Sequence, residues 1–265
     1  MPVDVSPPLE EAVALAAAHS LVPLRHEFVA DCETPVSAFL KLRREGPAFL
    51  LESAEQGKRF GRYSFIGYRP REVLRWTLAD GGDPYAIAAA AVGRFSQAPM
   101  DGLPPFAGGA VGFFGYDLVR TVEPLGPPGP DPLGLPDMAL MLTDALVVFD
   151  NLRHTVTILA NLYAADGDPV AAYAQACATI EEVRARLDGP LPRVEPHAPR
   201  AAVDFPSNMT RERFEQIVAR IVEYIHAGDA FQVVPSQRWS APATWKSPKS
   251  RKYMYGLGLT ARSPR

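Results

Sequence analysis

Cysteine is scarce: Cys32 and Cys177 are the two in 265 residues. That supply is too small for the disulfide framework of a secreted domain and fits a reducing cytoplasm, with both thiols read as core filler. An excess of one charge is missing as well. Against 27 Lys and Arg stand 30 Asp and Glu, for a net charge of -3. This sets aside nucleic acid and anionic membrane surfaces as partners and leaves small molecules and protein. No apolar run approaches the ~18 residues of a membrane span, and the opening MPVDVSPPLEE is acidic where a signal peptide would be basic, so a soluble, cytoplasmic protein without a membrane partner is expected. The histidines, at 19, 26, 154, 197 and 226, show no HxxxH or HExxH spacing, and no metal site is expected from them.

What the chain has in quantity is proline, 27 in all, concentrated at 124–136 and 189–206. These stretches read as a loop and a linker. Apolar periodicity predicts helices at 8–18, 34–44, 84–95, 168–187 and 210–226. Thr34 followed by Pro35 opens the second; Thr210 or Asn208 can cap the start of the last, and Gly228 sits at its stop. Strands are expected at 22–30, 47–52, 61–68, 71–78, 108–120 and 230–240, with two more in 138–162 meeting near Asp150-Asn151. Helices and strands mix without regular alternation, which favours an α+β fold over a doubly wound one. The expected organisation is 1–188 as one domain, a linker at 189–206, the start of a second domain at 207–240, and a tail at 241–265. That tail holds six Lys and Arg and no acid.

Three features carry candidate chemistry. Gly109, Gly112 and Gly115 in GGAVGFFG lack the Gly-Lys-Ser/Thr of a P-loop and the spacing of GxGxxG, so they read as close backbone approach in a twisted sheet. Ser53 has no GxSxG context and no evident base, which argues against a nucleophile. FLLES, 49–53, runs from a buried strand into an acid and a hydroxyl. Such a pair grips a ligand ammonium through charge-assisted hydrogen bonds of ~1.5–3 kcal/mol each when sheltered.

LLESAEQGKRFGRYSFIGYRP (50–70), FAGGAVGFFGYDLVRTVEPL (106–125) and YIHAGDAFQVVPSQRWS (224–240) resemble, in order and spacing, anthranilate synthase component I of the chorismate-utilising enzymes. The resemblance implies two packed, mainly antiparallel β-sheets with flanking helices. It implies conversion of chorismate and ammonia to anthranilate and pyruvate with Mg2+, the ammonia coming from a glutamine amidotransferase subunit. Leu51, Glu52 and Ser53 would line a tryptophan feedback pocket, with Tyr63 and Ser64 as nearby walls. Tyr253-Met254 is similar to the family's Pro-Tyr-Met segment, which completes that pocket, although Lys252 replaces the proline.

Gln232 matters most for mechanism. The related isochorismate and salicylate synthases carry there a Lys that activates water, whereas a glutamine does not titrate near neutral pH. Aminodeoxychorismate synthase component I shares the glutamine, but Val234-Pro235-Ser236 is more similar to the anthranilate enzyme. A non-catalytic tryptophan-binding or amidotransferase-binding fragment is the other alternative. The resemblance ends at Ser240, and the family's chorismate-binding residues and Mg2+ ligands would belong to a half that follows. The expectation is therefore a truncated or frameshifted product, inactive by itself.

Overall fold

The structure, a computed structural model, describes residues 3–43, 46–52, 61–131, 133–192 and 205–240. The described residues up to Pro192 form one compact unit, and those from Phe205 to Ser240 another. In the first, α1 (Leu9–Ala16), β1 (Leu21–Val29), α2 (Pro35–Leu42), β2 (Ala48–Leu51) and β3 (Tyr63–Tyr68) are followed by β4 (Glu72–Trp76) and α3 (Pro84–Gly93). Then come β5 (Ala110–Phe114), β6 (Met138–Leu142), β7 (Ala145–Asp150), β8 (Thr155–Tyr163) and α4 (Pro169–Leu187). Three of the helices open alike. Thr34, Asp83 and Asp168 accept hydrogen bonds from backbone N–H groups of the first turn, and a proline follows each at a position where no N–H is needed.

The strands make two antiparallel sheets, ordered β1-β8-β7-β3-β2 and β4-β6-β5. Side chains alternate across each strand, so the larger sheet has two apolar faces. Val22, Leu24, Ile66, Val147, Ile158 and Leu162 pack with Ala12 of α1, Leu42 of α2 and Ile180 and Val183 of α4. On the opposite face, Phe49, Leu146, Val148 and Leu159 meet Phe106, Ala107, Val111 of β5 and Met141 of β6. The two sheets therefore share one core. Met138 and Leu140 point the other way, onto Trp76, Ala88 of α3 and Leu118. The α+β class with two packed sheets is as expected.

Two strand predictions need correction in this unit. The 138–162 run is three strands rather than two, because Thr143-Asp144 carries the chain from the smaller sheet into the larger one before the turn at 151–154. The 108–120 run stops at Phe114, and Tyr116–Thr121 is a 3₁₀ helix. Its tight winding buries Leu118 against Trp76 and Met138.

The glycines inside the sheets mark contacts that tolerate no side chain. A Cβ on Gly112 would lie 1.9 Å from the carbonyl oxygen of Ala139 on the neighbouring strand. One on Gly67 would lie 2.2 Å from the ring of Phe49, its cross-strand partner. The glycine-rich run is thus a place of close backbone approach.

The second unit holds α5 (Arg211–Ala227). Thr210 caps its start by accepting from the N–H of Arg213 at 3.2 Å, and Gly228 closes it in the left-handed conformation, φ 83°. Phe214, Ile217 and Ile221 are half-buried, while Val218, Val222 and Ile225 are exposed. The strand expected at 230–240 is absent. A strand is stabilised by the ladder beside it, and among the described residues this stretch makes one isolated bridge, Ser207 with Trp239.

Candidate functional site

Of the four residues of β2, the edge strand of the larger sheet, Phe49 and Leu51 face the second sheet while Leu50 faces the helices. Phe49 is buried over Gly67. Leu51 pairs with Phe65 on β3 and is 46% exposed, and Glu52 beyond it is exposed. The strand therefore brings Leu51 to the rim of the intersheet core, and Glu52 follows as an exposed carboxylate past the strand's end. Phe65 meets Phe106 edge to face at 5.8 Å, and Tyr63 lies 6.1 Å from Phe65 on the same face. This rim offers aromatic edges, with an exposed acid one residue beyond the strand, and the two chemistries together suit a ligand with a flat apolar body and an ammonium group.

Ser64, grouped with Tyr63 by the sequence reading, points elsewhere. Alternation along β3 turns it to the helix face with Ile66, where it is buried and accepts from Asn151 Nδ2 at 3.3 Å. Only Tyr63 of that pair flanks Leu51's side of the sheet. Ser53, Tyr253 and Met254 lie outside the described residues.

The rim is fixed by an ion pair absent from the sequence reading. Arg62 donates through Nε to Asp150 Oδ1 at 3.0 Å and through Nη2 to Oδ2 at 2.7 Å, and its guanidinium lies 4.8 Å from the centre of the Tyr63 ring. Asp150 also accepts from the N–H groups of Leu152 and Arg153 in the turn after β7. The Arg62 guanidinium, helped by those N–H groups, holds the Asp150 carboxyl below its usual range. Arginine 62 and aspartate 150 are far apart in sequence, and only the pairing of β3 with β7 brings them together.

Gln232 belongs to the second unit, in the extended stretch after α5, and its side chain is exposed. The far end of that stretch is anchored. Gln237 Nε2 donates to Ser207 Oγ at 2.6 Å, the Arg238 N–H donates to Asn208 Oδ1, and the Arg238 carbonyl accepts from the Asn208 N–H. Phe231, Gln232, Val233 and Val234 are left presented to solvent as an amide among apolar side chains. Among the described residues no group of three or more His, Cys, Asp and Glu is placed to hold a metal ion, and no helix is long and apolar enough to cross a membrane.

Comparison with known proteins places these features in context. The family described as chorismate binding enzyme matches residues 46–253, which extends past Ser240, where the sequence reading ends the resemblance. The chain is 42% identical over 262 residues to anthranilate synthase component 1 of Pseudomonas putida, covering 87% of this chain and 50% of that protein. It is 39% identical over 249 residues to anthranilate synthase component 1 of Mycolicibacterium smegmatis, covering 87% and 47%. The chain thus spans about half the length of the curated relatives it matches. Its fold is similar to the crystal structure of anthranilate synthase component I from Streptococcus pneumoniae, with a TM-score of 0.57 and 24% identity, over 86% of this chain and 51% of that one.

Proposed function

The chain belongs to the chorismate binding enzyme family, and on that premise we propose that it works within an anthranilate synthase component I. The reaction joins ammonia to chorismate and releases pyruvate and water, leaving anthranilate on the route to tryptophan. The observation that carries this reading is the 42% identity to a relative of that name, beside a family match over residues 46–253 that covers both the β2 rim and Gln232. The relatives named for this activity favour it over an aminodeoxychorismate synthase.

Gln232 contributes by what it does not do. A carboxamide neither takes a proton from water nor carries charge at neutral pH, so it leaves ammonia as the nucleophile. Ammonia already has a lone pair for attack and needs no such activation when it arrives unprotonated. A glutamine amidotransferase subunit would deliver it in that form. Mg2+ is proposed as the family's cofactor. The described residues offer no ligand set for it. The two free thiols, Cys32 exposed and Cys177 half-buried, suit a reducing cytoplasm.

Leu51, Glu52 and Ser53 are proposed to bind tryptophan as a feedback inhibitor, with Tyr253 and Met254 completing the pocket. The indole would lie against Leu51 and the Phe65 and Phe106 edges. Glu52 would take the ammonium. This chain is proposed to carry the regulatory and subunit-contact portion of the enzyme and to be inactive alone. Incubation of the purified chain with chorismate, ammonium and Mg2+ at mildly alkaline pH, read by anthranilate fluorescence, tests that proposal. No product is expected above the chain-free control. Mg2+-dependent fluorescence from the chain would overturn it.

A further inference from the structure

Of the four edge strands in the two sheets, three are guarded. β1 is covered by chain, since Arg25 exchanges both backbone bonds with Ser6, and Leu21 bonds to Ser96 and Ala98. β4 carries Glu72 and Arg75, and β2 has only four residues and runs into Glu52. β5 is the exception. It ends the smaller sheet, with β6 as its one partner strand among the described residues. From Gly102 to Tyr116 the sequence holds no charged residue, and β5 itself, AVGFF, holds no proline. Natural edges are kept from pairing by charge, proline, shortness or a covering segment.

The free backbone groups of β5 can be named. Residues facing across an antiparallel pair alternate between those that exchange hydrogen bonds and those that do not. Gly109 accepts from the N–H of Thr143 at 2.8 Å, and Gly115 donates to the Asp137 carbonyl at 2.6 Å, so the odd-numbered residues bond to β6. Ala110, Gly112 and Phe114 therefore turn their N–H and C=O groups to the open edge. Gly112 is exposed, and Phe113 and Phe114 are 42% and 47% exposed. The Phe114 ring stacks on Tyr85 of α3 at 5.5 Å, which holds it beside that edge.

The sequence of β5 is complementary to itself in the register that these groups require. With a second copy laid antiparallel and Gly112 facing Gly112, the outward residues meet one another: Ala110 exchanges bonds with Phe114 of the second copy, Gly112 with Gly112, and Phe114 with Ala110. Each phenylalanine then stands opposite a smaller side chain, Phe114 by Ala110 on the face toward α3 and Phe113 by Val111 on the other. No charge meets a like charge along the pair. The two-fold relation is the isologous one by which most homodimers close.

We propose that the chain forms a two-fold symmetric dimer through β5, joining two three-stranded sheets into one continuous sheet. The interface uses neither Gln232 nor the residues proposed for tryptophan, and its test is independent of both.

That test is light scattering of the full chain over a wide range of concentration, combined with amide hydrogen exchange. A monomer–dimer equilibrium is expected, with the amides of Ala110, Gly112 and Phe114 exchanging at least tenfold more slowly in the dimer. Phe113→Lys and Phe114→Lys put a charge on the edge, and each is expected to weaken dimerisation at least tenfold, with an otherwise native amide spectrum as the check on folding. Val218→Lys, on the exposed face of α5, is expected to leave the dimer unchanged. The exchange measurement on the parent chain decides the matter where a variant does not fold. The proposal is overturned if the chain stays monomeric at its highest concentration, or if protection of the three amides does not rise with association. It is overturned equally if folded Phe113→Lys and Phe114→Lys chains dimerise as the parent does, or if Val218→Lys abolishes the dimer.

Discussion

Asp150 is the residue whose charge the fold uses most plainly. Its carboxyl is lowered in the folded chain by Arg62 and the turn N–H groups, relative to an unfolded value of ~3.9. A depressed carboxylate stabilises the fold fully above the unfolded value, and the contribution is lost as pH falls through the folded one. Asp150→Asn is therefore expected to lower stability by about 1–3 kcal/mol at neutral pH. Urea denaturation from neutral pH downward should find the difference shrinking below about pH 4. Glu52 is tested differently, because it is exposed and its proposed role is toward ligand. Glu52→Gln is expected to weaken tryptophan binding about tenfold or more, from the ~1.5–3 kcal/mol of a charged hydrogen bond, with the melting temperature of the free chain unchanged. Single residues were unevenly legible. Leu51 and Glu52 stood out because an acid follows a buried strand. Arg62 and Asp150 carried none, since their pairing depends on strand register.

Among the elements, those with local causes were read most accurately. Three of the helices of the first unit opened where a capping side chain and a proline coincide, at Thr34, Asp83 and Asp168. Strand boundaries depend on neighbours, and the reading missed them where a strand changed sheets at Thr143-Asp144 and where 230–240 found no ladder. Gly112→Ala tests the contact between β5 and β6. Its Cβ meets backbone rather than a movable side chain, so a loss of about 1–3 kcal/mol is expected by chemical denaturation. Gly126→Ala, with nothing within 4 Å of the added carbon, is the neutral control. In α5, Thr210→Ala removes the N-cap and is expected to cost about 1 kcal/mol. Amide hydrogen exchange should report this as faster exchange in the first turns of α5, with the first unit unaffected.

For the whole molecule, composition and pattern were enough to indicate α+β layers, and the motifs were enough to indicate the family. The facing of two antiparallel sheets across Phe49, Leu146, Leu159, Val111 and Met141 follows from strand alternation once the order is known. The order itself is long-range information that periodicity does not contain. The end of β2 is proposed as a recognition site for an amino-acid inhibitor rather than as a catalytic nucleophile. Calorimetric titration of the 265-residue chain with L-tryptophan tests it most directly. Saturable binding with a stoichiometry near one is the predicted result. A titration with no saturable heat, and no tryptophan-dependent rise in melting temperature, would contradict it.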